Sequence, residues 1–287
     1  TRYVRSIFDE AGYNTHILVR RAEMQGTNEG DWAGDNVTIG SQKYNMPAST
    51  YLNWAKENNL DVCFFDQNYQ FKAIKSMRSE GVKTIGRFVW EQFGEEHVSL
   101  AKTAFDTVYS LTKSEHDRYS RLGINSTFVK WGIHPSLFLA EQSRRSENIW
   151  FYYPAGYCSS RKSVKETVKA FSMVKRKNIR LLISSQKPID TLGDNRIVVE
   201  SGNVTLHSEF HKKMASCDVC IIPSRWEGLG LAFVEAMALK MPIITTDYPP
   251  MSEYVTHGKS GLLVKNTLGS GLPNGLPVAN IKISDLA

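Results

Sequence analysis

The sequence predicts an α/β protein made of two doubly wound domains, each built on a parallel sheet. Short apolar strands alternate with amphipathic helices along the chain, which is the pattern of parallel α/β layering. Gly12, Gly81 and Gly123 stand where helices are expected to end. A length of 287 residues is long for one compact domain and comfortable for two.

The first predicted domain covers residues 1–140 and starts with a helix-like stretch at Thr1–Ala11. Apolar runs predict its strands at Thr15–Val19, Val62–Phe65, Thr84–Phe88, Thr107–Ser110 and Thr127–Val129. Helices are predicted in the intervals, at Ser49–Asn58, Tyr69–Glu80, Leu100–Ala104 and Lys113–Leu122.

The second predicted domain covers residues 146–287 and follows the polar linker Glu141–Asn148. Its strands are predicted at Asn148–Tyr153, Ile179–Ser184, Ile197–Glu200, Asp218–Pro223, Pro242–Thr245 and Gly261–Val264. Its helices are predicted at Ser163–Lys175, Glu209–Ala215, Leu229–Ala238 and Met251–Val255. The stretch Thr267–Pro277 is rich in Gly, Leu and Pro and is predicted to be irregular.

Two such domains create a cleft, and open α/β sheets bind ligands beyond the carboxyl ends of their strands.

Composition and charge restrict the class of partner. A net charge of +6 suits phosphate-bearing ligands, an anionic membrane surface or nucleic acid, or is simply a solvated basic surface. Nucleic-acid binding is not expected, because the densest aromatic group, Trp150–Tyr153, contains no basic residue. The apolar runs are too short to span a bilayer and the first residues do not resemble a signal peptide, so a cytoplasmic location is expected.

Two of the four cysteines have the spacing of a metal-binding pair. Cys217 and Cys220 are separated by two residues, but no second pair lies near them in the sequence. We therefore expect reduced, buried thiols and no metal site.

The segment Ser224–Glu235 carries the most specific signal for chemistry. A strand is predicted to end just before it, and a glycine-containing turn leads into a helix. The free N–H groups and the positive dipole end at a helix start form a site for phosphate. Gly228 and Gly230 would let a ligand approach the backbone closely.

Glu235 has two interpretations on physical grounds alone. The helix around it is apolar on nearly every side and is predicted to be buried, with Glu235 on one stripe with Leu231, Val234 and Ala238. A carboxylate there needs a partner, since an uncompensated buried charge costs on the order of several kcal/mol. The partner is either Lys240 or nearby backbone, which is a structural role, or the hydroxyl groups of a ligand such as a ribose.

An ordered series of motifs resembles the retaining glycosyltransferases of family 4, the glycosyl transferases group 1. It runs through Glu227–Ala238, Met241–Asp247, Ser252–Val255 and Gly258–Val264, and continues upstream in Pro154–Ser163, Ser114–His116 and Trp131–Phe138. The resemblance is strong in the second domain and loose in the first. It implies the GT-B fold, in which two Rossmann-like domains face each other across a cleft.

The resemblance implies a role for each matching residue. Glu227 would contact the donor sugar, Glu235 the ribose, and the amides of Gly230 and Leu231 the donor's phosphate or sugar. Gly156 and Gly228 would lie against the donor. Lys162 would stabilise the leaving diphosphate in place of a divalent metal, which fits the lack of an Asp-x-Asp motif. No metal or other cofactor is expected.

The sequence departs from the family pattern at three places. Tyr157 stands where an arginine is usual, and Arg161 is expected to compensate. The first-domain histidine of the family is not evident, so Glu91 becomes the candidate to face the acceptor or the sugar, with His97 as the alternative. Glu91 could equally be a surface carboxylate paired with a basic neighbour. His134 replaces the usual linker aspartate and is interpreted as structural.

The implied activity is hexosyl transfer from a UDP- or GDP-sugar to a glycan or lipid-linked acceptor, with peripheral membrane contact as a further expectation. There are two alternatives. One is a nucleotide-sugar epimerase or a phosphorylase of the same fold, and the other is a non-enzymatic module that binds a nucleotide or a glycan. The resemblance also leads us to expect a glycine-rich strand before Thr1 and closing helices after Ala287.

Overall fold

A computed structural model describes residues 2–19, 35–40, 45–133, 137–138, 147–201 and 207–287. Most of the predicted linker Glu141–Asn148, and His134, lie outside these residues. The chain forms two compact units. Unit 1 consists of Thr1–Phe88, Glu95–Ser110 and His116–Thr127, and unit 2 consists of Val89–Gly94, Leu111–Glu115 and Phe128–Ala287. The division into domains 1–140 and 146–287, with an acceptor side and a donor side, stays a prediction.

Unit 1 contains parallel strands with helices between them. Its strands are β1 (Ile17–Val19), β2 (Val37–Ile39), β3 (Val62–Asp66), β4 (Lys83–Arg87), β5 (Thr107–Ser110) and β6 (Ser126–Phe128). Its helices are α1 (Arg2–Glu10), α2 (Ala48–Glu57), α3 (Phe71–Ser79), α4 (Val98–Ala104) and α5 (Lys113–Arg121), and the first turn of α5 is assigned to unit 2. The strands β3 to β6 form one sheet in chain order, and β1 pairs in parallel with β2. The sequence analysis did not predict β2.

Unit 2 is built on a six-stranded parallel sheet. Its strands are β7 (Ile149–Gly156), β8 (Ile179–Ser185), β9 (Ile197–Ser201), β10 (Val219–Ile222), β11 (Ile243–Thr246) and β12 (Gly261–Val264), in the order β12-β11-β10-β7-β8-β9. The connecting helices are α6 (Val164–Met173), α7 (His207–Ala215) and α8 (Leu231–Ala238). The predicted α/β class with parallel sheets is therefore confirmed.

Both faces of this sheet are covered by apolar side chains. Successive residues of β7 point to opposite faces, and Tyr152 and Tyr153 belong to two different hydrophobic clusters. Leu181 and Leu182 of β8 likewise belong to the two different clusters. All four side chains are fully buried. The near-continuous apolar runs of the sequence are thus explained by strands that are buried on both faces.

The strand order places a topological switch point between β7 and β10. From β7 the chain moves outward through β8 and β9, then returns to the other side of β7 to form β10. The loops after β7 and β10 therefore leave the sheet in opposite directions and open a crevice at the strands' carboxyl ends, where doubly wound sheets bind ligands. These two loops contain most of the predicted site residues.

The helix α8 differs from its prediction in length and burial. It begins at Leu231 and not at Leu229, and it is not buried on nearly every side. Leu231 and Met237 are half-exposed, whereas Phe233, Ala236 and Ala238 are buried. One face of α8 packs on the sheet and the other faces solvent, so apolar composition alone was a poor guide to burial.

The tail after β12 was predicted to be irregular over Thr267–Pro277, which is wrong for Thr267–Gly269 and agrees with the structure for residues 270–277. Strand β13 (Asn266–Gly269) pairs antiparallel with β14 (Val278–Ile281), and a short helix, α9 (Ile283–Leu286), follows. The glycines and prolines form the turn of this hairpin, while Val278, Ala279 and Ile281 are buried. The predicted helix at Met251–Val255 is a 3-10 helix at Met251–Tyr254.

No helix in the described part of the chain has the length and apolar character needed to cross a bilayer.

Candidate active site

The first wall of the site is the loop after β7. Gly156 ends the strand with a φ of 54°, a left-handed conformation that favours glycine, and its carbonyl accepts a 2.8 Å hydrogen bond from the Gln186 amide. A single 3-10 turn, Ser160–Lys162, follows. The buried hydroxyl of Tyr153 donates a hydrogen bond to the Lys162 carbonyl, so the end of this turn is attached to the core of unit 2.

The second wall is the loop after β10, over Ser224–Gly230. The amide of Arg225 donates a 2.8 Å hydrogen bond to the Arg161 carbonyl, which joins the two loops directly. The Ala279 amide of β14 donates a 2.9 Å hydrogen bond to the Arg225 carbonyl. The hairpin that the sequence analysis missed therefore supports this loop from behind.

Glu227 lies at the centre of a buried ion cluster. Its side chain is 4% exposed, and its Oε1 accepts a 2.8 Å hydrogen bond from Lys162 Nζ. The guanidinium of Arg161 forms an ion pair with Oε2, and the Ser224 hydroxyl donates a 2.6 Å hydrogen bond to Oε1. The structure thus brings together three of the predicted site residues and adds Ser224.

The positive charges of this cluster keep the Glu227 carboxyl group ionised. Burial alone would raise the pKa of this carboxyl, but the charges of Lys162 and Arg161 and the hydrogen bonds from Lys162 and Ser224 outweigh burial. The pKa of Glu227 is therefore below its ordinary value, and the carboxylate is ionised at neutral pH. Two cations against one carboxylate leave the cluster with a surplus of one positive charge, which suits an anionic ligand.

Glu91 lies beside the same loop, on the 3-10 turn Trp90–Gln92 of unit 2. A Cβ added at Gly228 would lie 3.0 Å from Glu91 Oε2, so glycine at this position leaves room for the carboxylate. The alternative candidate, His97, packs its ring against Tyr69 and Phe71 in unit 1, with centroid distances of 4.9 and 6.0 Å. The surroundings of Glu91 thus match a site residue better than those of His97.

Gly230 forms the N-cap of α8 with φ 67° and ψ 54°. No side-chain hydrogen bond caps this helix. Within the first turn, the N–H of Phe233 donates a 2.9 Å hydrogen bond to the Gly230 carbonyl. The N–H groups of Leu231 and Ala232 have no intrahelical acceptor and can bind an anion at the positive end of the helix dipole. Leu231, the first helical residue, is 49% exposed, so the start of α8 lies at the surface of the unit.

Replacing Gly230 with alanine is expected to strain the start of α8. The left-handed conformation costs about 1–2 kcal/mol for a residue with a Cβ, and the new Cβ would also lie 2.7 Å from Phe233 Cδ2. Phe233 is fully buried and cannot move aside easily. Urea unfolding should show a loss of stability larger than that of the control Gly258→Ala, since Gly258 is also left-handed but has open space around it. Equal losses in the two variants would show that Phe233 does yield.

Glu235 lies one turn further along α8. None of its described ion pairs is with Lys162 or Arg161. Its side chain is 20% exposed, and its recorded ion-pair contact is with His211 Nε2 of α7, at 3.9 Å, not with Lys240. Burial raises the pKa of Glu235 above the usual range. A partly buried carboxylate whose nearest described partner is an imidazole at 3.9 Å still has acceptor capacity for ligand hydroxyls.

Sequence reasoning missed Ser224 and His211. Ser224 precedes Glu227 by three residues, and this Ser-x-x-Glu spacing is a signal that could have linked the two side chains. His211 has no such signal, because only the packing of α7 against α8 brings it near Glu235.

The cysteine pair contributes nothing to this site. Cys217 and Cys220 are free thiols in a hydrophobic cluster of unit 2. Among the described residues no group of three or more His, Cys, Asp or Glu side chains is placed to hold a metal ion.

Comparison with known proteins identifies the family of the second half of the chain. Residues 139–270 match the family model described as "Glycosyl transferases group 1". The uncharacterized glycosyltransferase MJ1178 of Methanocaldococcus jannaschii is 29% identical over 112 residues, which are 33% of this chain and 32% of the relative. The capsular polysaccharide biosynthesis glycosyltransferase CapM of Staphylococcus aureus is 26% identical over 176 residues, which are 58% of this chain and 44% of the relative. The chain thus spans less than half the length of either curated relative.

Solved structures agree on the fold. The sucrose-phosphate synthase of Thermosynechococcus elongatus superposes with a TM-score of 0.68 at 15% identity, over 92% of this chain and 79% of that chain. At this identity the likeness shows the fold, which is the GT-B type of α/β architecture. The group 1 glycosyl transferase domain at residues 139–270 rests on the match to the family model.

Proposed function

We propose that this protein is a retaining, metal-independent glycosyltransferase of family 4 that transfers a sugar from a UDP- or GDP-sugar to a glycan or lipid-linked acceptor. The observation that carries the proposal is the buried cluster of Lys162, Arg161 and Glu227 beside the uncapped start of α8. This cluster lies at the switch point of the sheet, within the residues 139–270 that match the family model.

We place the donor's diphosphate beside Lys162 and Arg161, whose two positive charges exceed the one negative charge of Glu227. Lys162 and Arg161 would bind its oxygens together with the Gly230 and Leu231 amides, while Gly156 leaves space for the ligand and Gly228 leaves space for the Glu91 carboxylate. As the nucleotide departs, negative charge grows on the diphosphate, and preorganised cations stabilise that charge without reorganisation. Because these cations come from the chain, the proposal needs no divalent metal.

Glu227 has a double role in this proposal. It fixes the positions of Lys162 and Arg161, and it has about four lone-pair sites, of which the cluster uses three. The remaining site can accept one hydroxyl of the donor sugar. Glu235 would accept hydroxyls of the ribose, and Glu91 would face the acceptor or the sugar from the side of Gly228.

The reaction would proceed on one face of the sugar. The bond between the anomeric carbon and the phosphate oxygen breaks, and the acceptor hydroxyl attacks the same face, so the configuration is retained. The leaving diphosphate takes the proton of the acceptor hydroxyl. A lipid-linked acceptor would require contact with a cytoplasmic membrane surface, for which the chain's basic surplus is suited.

A thermal-shift screen tests donor binding. UDP, GDP, ADP and their sugars at millimolar concentration are each added to the wild type and to Lys162→Ala. Binding to the folded state stabilises it by mass action, and we expect one base to raise Tm by about 3–8 °C. The shift should shrink in Lys162→Ala and persist in the control Lys165→Ala, which removes an exposed lysine three residues away.

Incubating the purified protein with the selected donor alone and analysing the products separates the alternative functions. A new sugar formed from donor alone indicates an epimerase, and release of sugar phosphate indicates a phosphorylase. Stabilisation by a nucleotide without any turnover indicates a binding module. If no nucleotide or nucleotide sugar stabilises the wild type, the donor-binding proposal is wrong.

A further inference from the structure

A short 3-10 helix makes two contacts that bear on the loop Ser224–Gly230 and the start of α8. This helix, Met251–Tyr254, packs through the fully buried Met251. The Tyr254 hydroxyl donates a 2.6 Å hydrogen bond to the Leu229 carbonyl. The Tyr254 ring stacks on Phe233 of α8, with 4.8 Å between the centroids and 19° between the planes.

The bond to the Leu229 carbonyl fixes the orientation of a whole peptide group. Leu229 and Gly230 share one peptide unit, which is planar and trans, so its C=O and N–H point in opposite directions. A hydroxyl that holds the carbonyl on one side therefore presents the Gly230 N–H on the other side. Glycine has the widest backbone freedom of any residue, so this peptide is where the loop most needs an external constraint.

The ring contact supports the same peptide from a second direction. Phe233 lies 2.7 Å from where a Cβ of Gly230 would be, so its ring covers the Cα of Gly230. Tyr254 stacks on this ring, and its hydroxyl reaches the preceding carbonyl. One side chain thus restrains both the position and the rotation of the peptide.

The neighbouring residue holds the short helix in place. The carboxylate of Glu253 accepts two hydrogen bonds of 2.8 Å, from the amides of Lys113 and Ser114. These amides belong to the segment Leu111–Glu115, which is part of unit 2. A carboxylate bound to two N–H groups at a helix start is a strong, charge-assisted contact. Glu253 therefore anchors the element that carries Tyr254.

We propose that Tyr254 is a positioning residue that aims the Gly230 N–H at the donor's diphosphate. The inference rests on the proposed function for its ligand, and on the two contacts of Tyr254 for its geometry. It predicts that the hydroxyl, and not only the ring, contributes to diphosphate binding.

Tyr254→Phe isolates the hydroxyl, because the ring that stacks on Phe233 is retained. We expect the Kd of the nucleoside diphosphate that stabilises the wild type to rise about five- to tenfold in calorimetry, the range of one hydrogen bond. The Kd of the matching nucleoside monophosphate should change less than twofold. The ¹⁵N order parameter of Gly230 in the free protein should fall from about 0.85 towards 0.6. Tyr13→Phe, at an exposed phenol of unit 1, is the control.

The two readouts separate this inference from the function on which it rests. An unchanged order parameter or an unchanged diphosphate Kd in Tyr254→Phe would overturn the positioning role and leave the hydroxyl a packing group. Equal losses for the monophosphate and the diphosphate would overturn it too, since they indicate general damage. If the wild type binds none of UDP, GDP and ADP, the proposed function fails, and so does the aim at a diphosphate. The order parameter then still decides whether Tyr254 orients the loop.

Discussion

Replacing Lys162 with alanine is expected to lower turnover by about 100- to 1000-fold, the usual loss when one preorganised charge-stabilising group is removed. Its side chain is 13% exposed and its ammonium is held 2.8 Å from Glu227 Oε1, so it is oriented before any ligand arrives. Removing it takes away the surplus positive charge of the cluster. The measurement is release of nucleoside diphosphate from the donor that the thermal-shift screen selects.

The fold should survive this change. Glu227 keeps its ion pair with Arg161 and its hydrogen bond from Ser224, so no buried carboxylate is left without a partner. We expect the midpoint of urea unfolding to move much less than the turnover, and Lys162→Arg to recover part of the activity because it restores the charge. Lys165→Ala should behave as wild type. Turnover within threefold of wild type in Lys162→Ala would remove Lys162 from the catalytic machinery.

The sequence was a good guide to the sheet because its strands are local, strongly apolar signals. The bounds of β5 and β12 agree with the prediction residue for residue. Prediction failed where local composition and tertiary context disagree. The hairpin of β13 and β14 was missed because its turn residues dominate the composition, whereas its pairing depends on the partner strand. The burial of α8 was overestimated because apolar content does not tell which side faces solvent.

The residues of the candidate site could likewise be predicted where a local motif marks them, and could not where only tertiary contacts bring them together. Lys162 and Glu227, 65 residues apart, were both predicted from motifs, and the strand order explains why they meet. No motif indicated that Glu227 also holds Arg161, because that contact depends on how two loops cross. The Ser-x-x-Glu spacing is a local signal for the contact with Ser224, and the sequence analysis did not use it. The roles assigned to these residues stay predictions until the variants are measured.

Replacing Glu227 with glutamine is expected to reduce both stability and activity. The amide keeps the shape of the side chain but removes the charge between Lys162 and Arg161, which leaves two neighbouring cations to repel each other. Breaking a fully buried pair costs about 3–5 kcal/mol, and because Arg161 is 26% exposed we expect about 2–3 kcal/mol here. Turnover should fall at least about tenfold, because the two cations lose their common anchor and a misplaced catalytic group is costly.

The pH dependence of the unfolding free energy tests whether Glu227 is ionised in the folded protein. The pKa of Glu227 is lowered from its ordinary value of 4.5, so the carboxylate stabilises the folded state fully above about pH 4.5. As the pH falls below that value the carboxylate of the unfolded chain is protonated first, and the stabilisation is lost progressively until the pH passes the lower pKa of the folded state. The difference in unfolding free energy between wild type and Glu227→Gln should therefore be constant near neutrality and shrink in acid. The control Glu147→Gln removes an exposed carboxylate of unit 2 and should show no such pattern. A difference that grows in acid would mean that Glu227 is protonated in the folded protein.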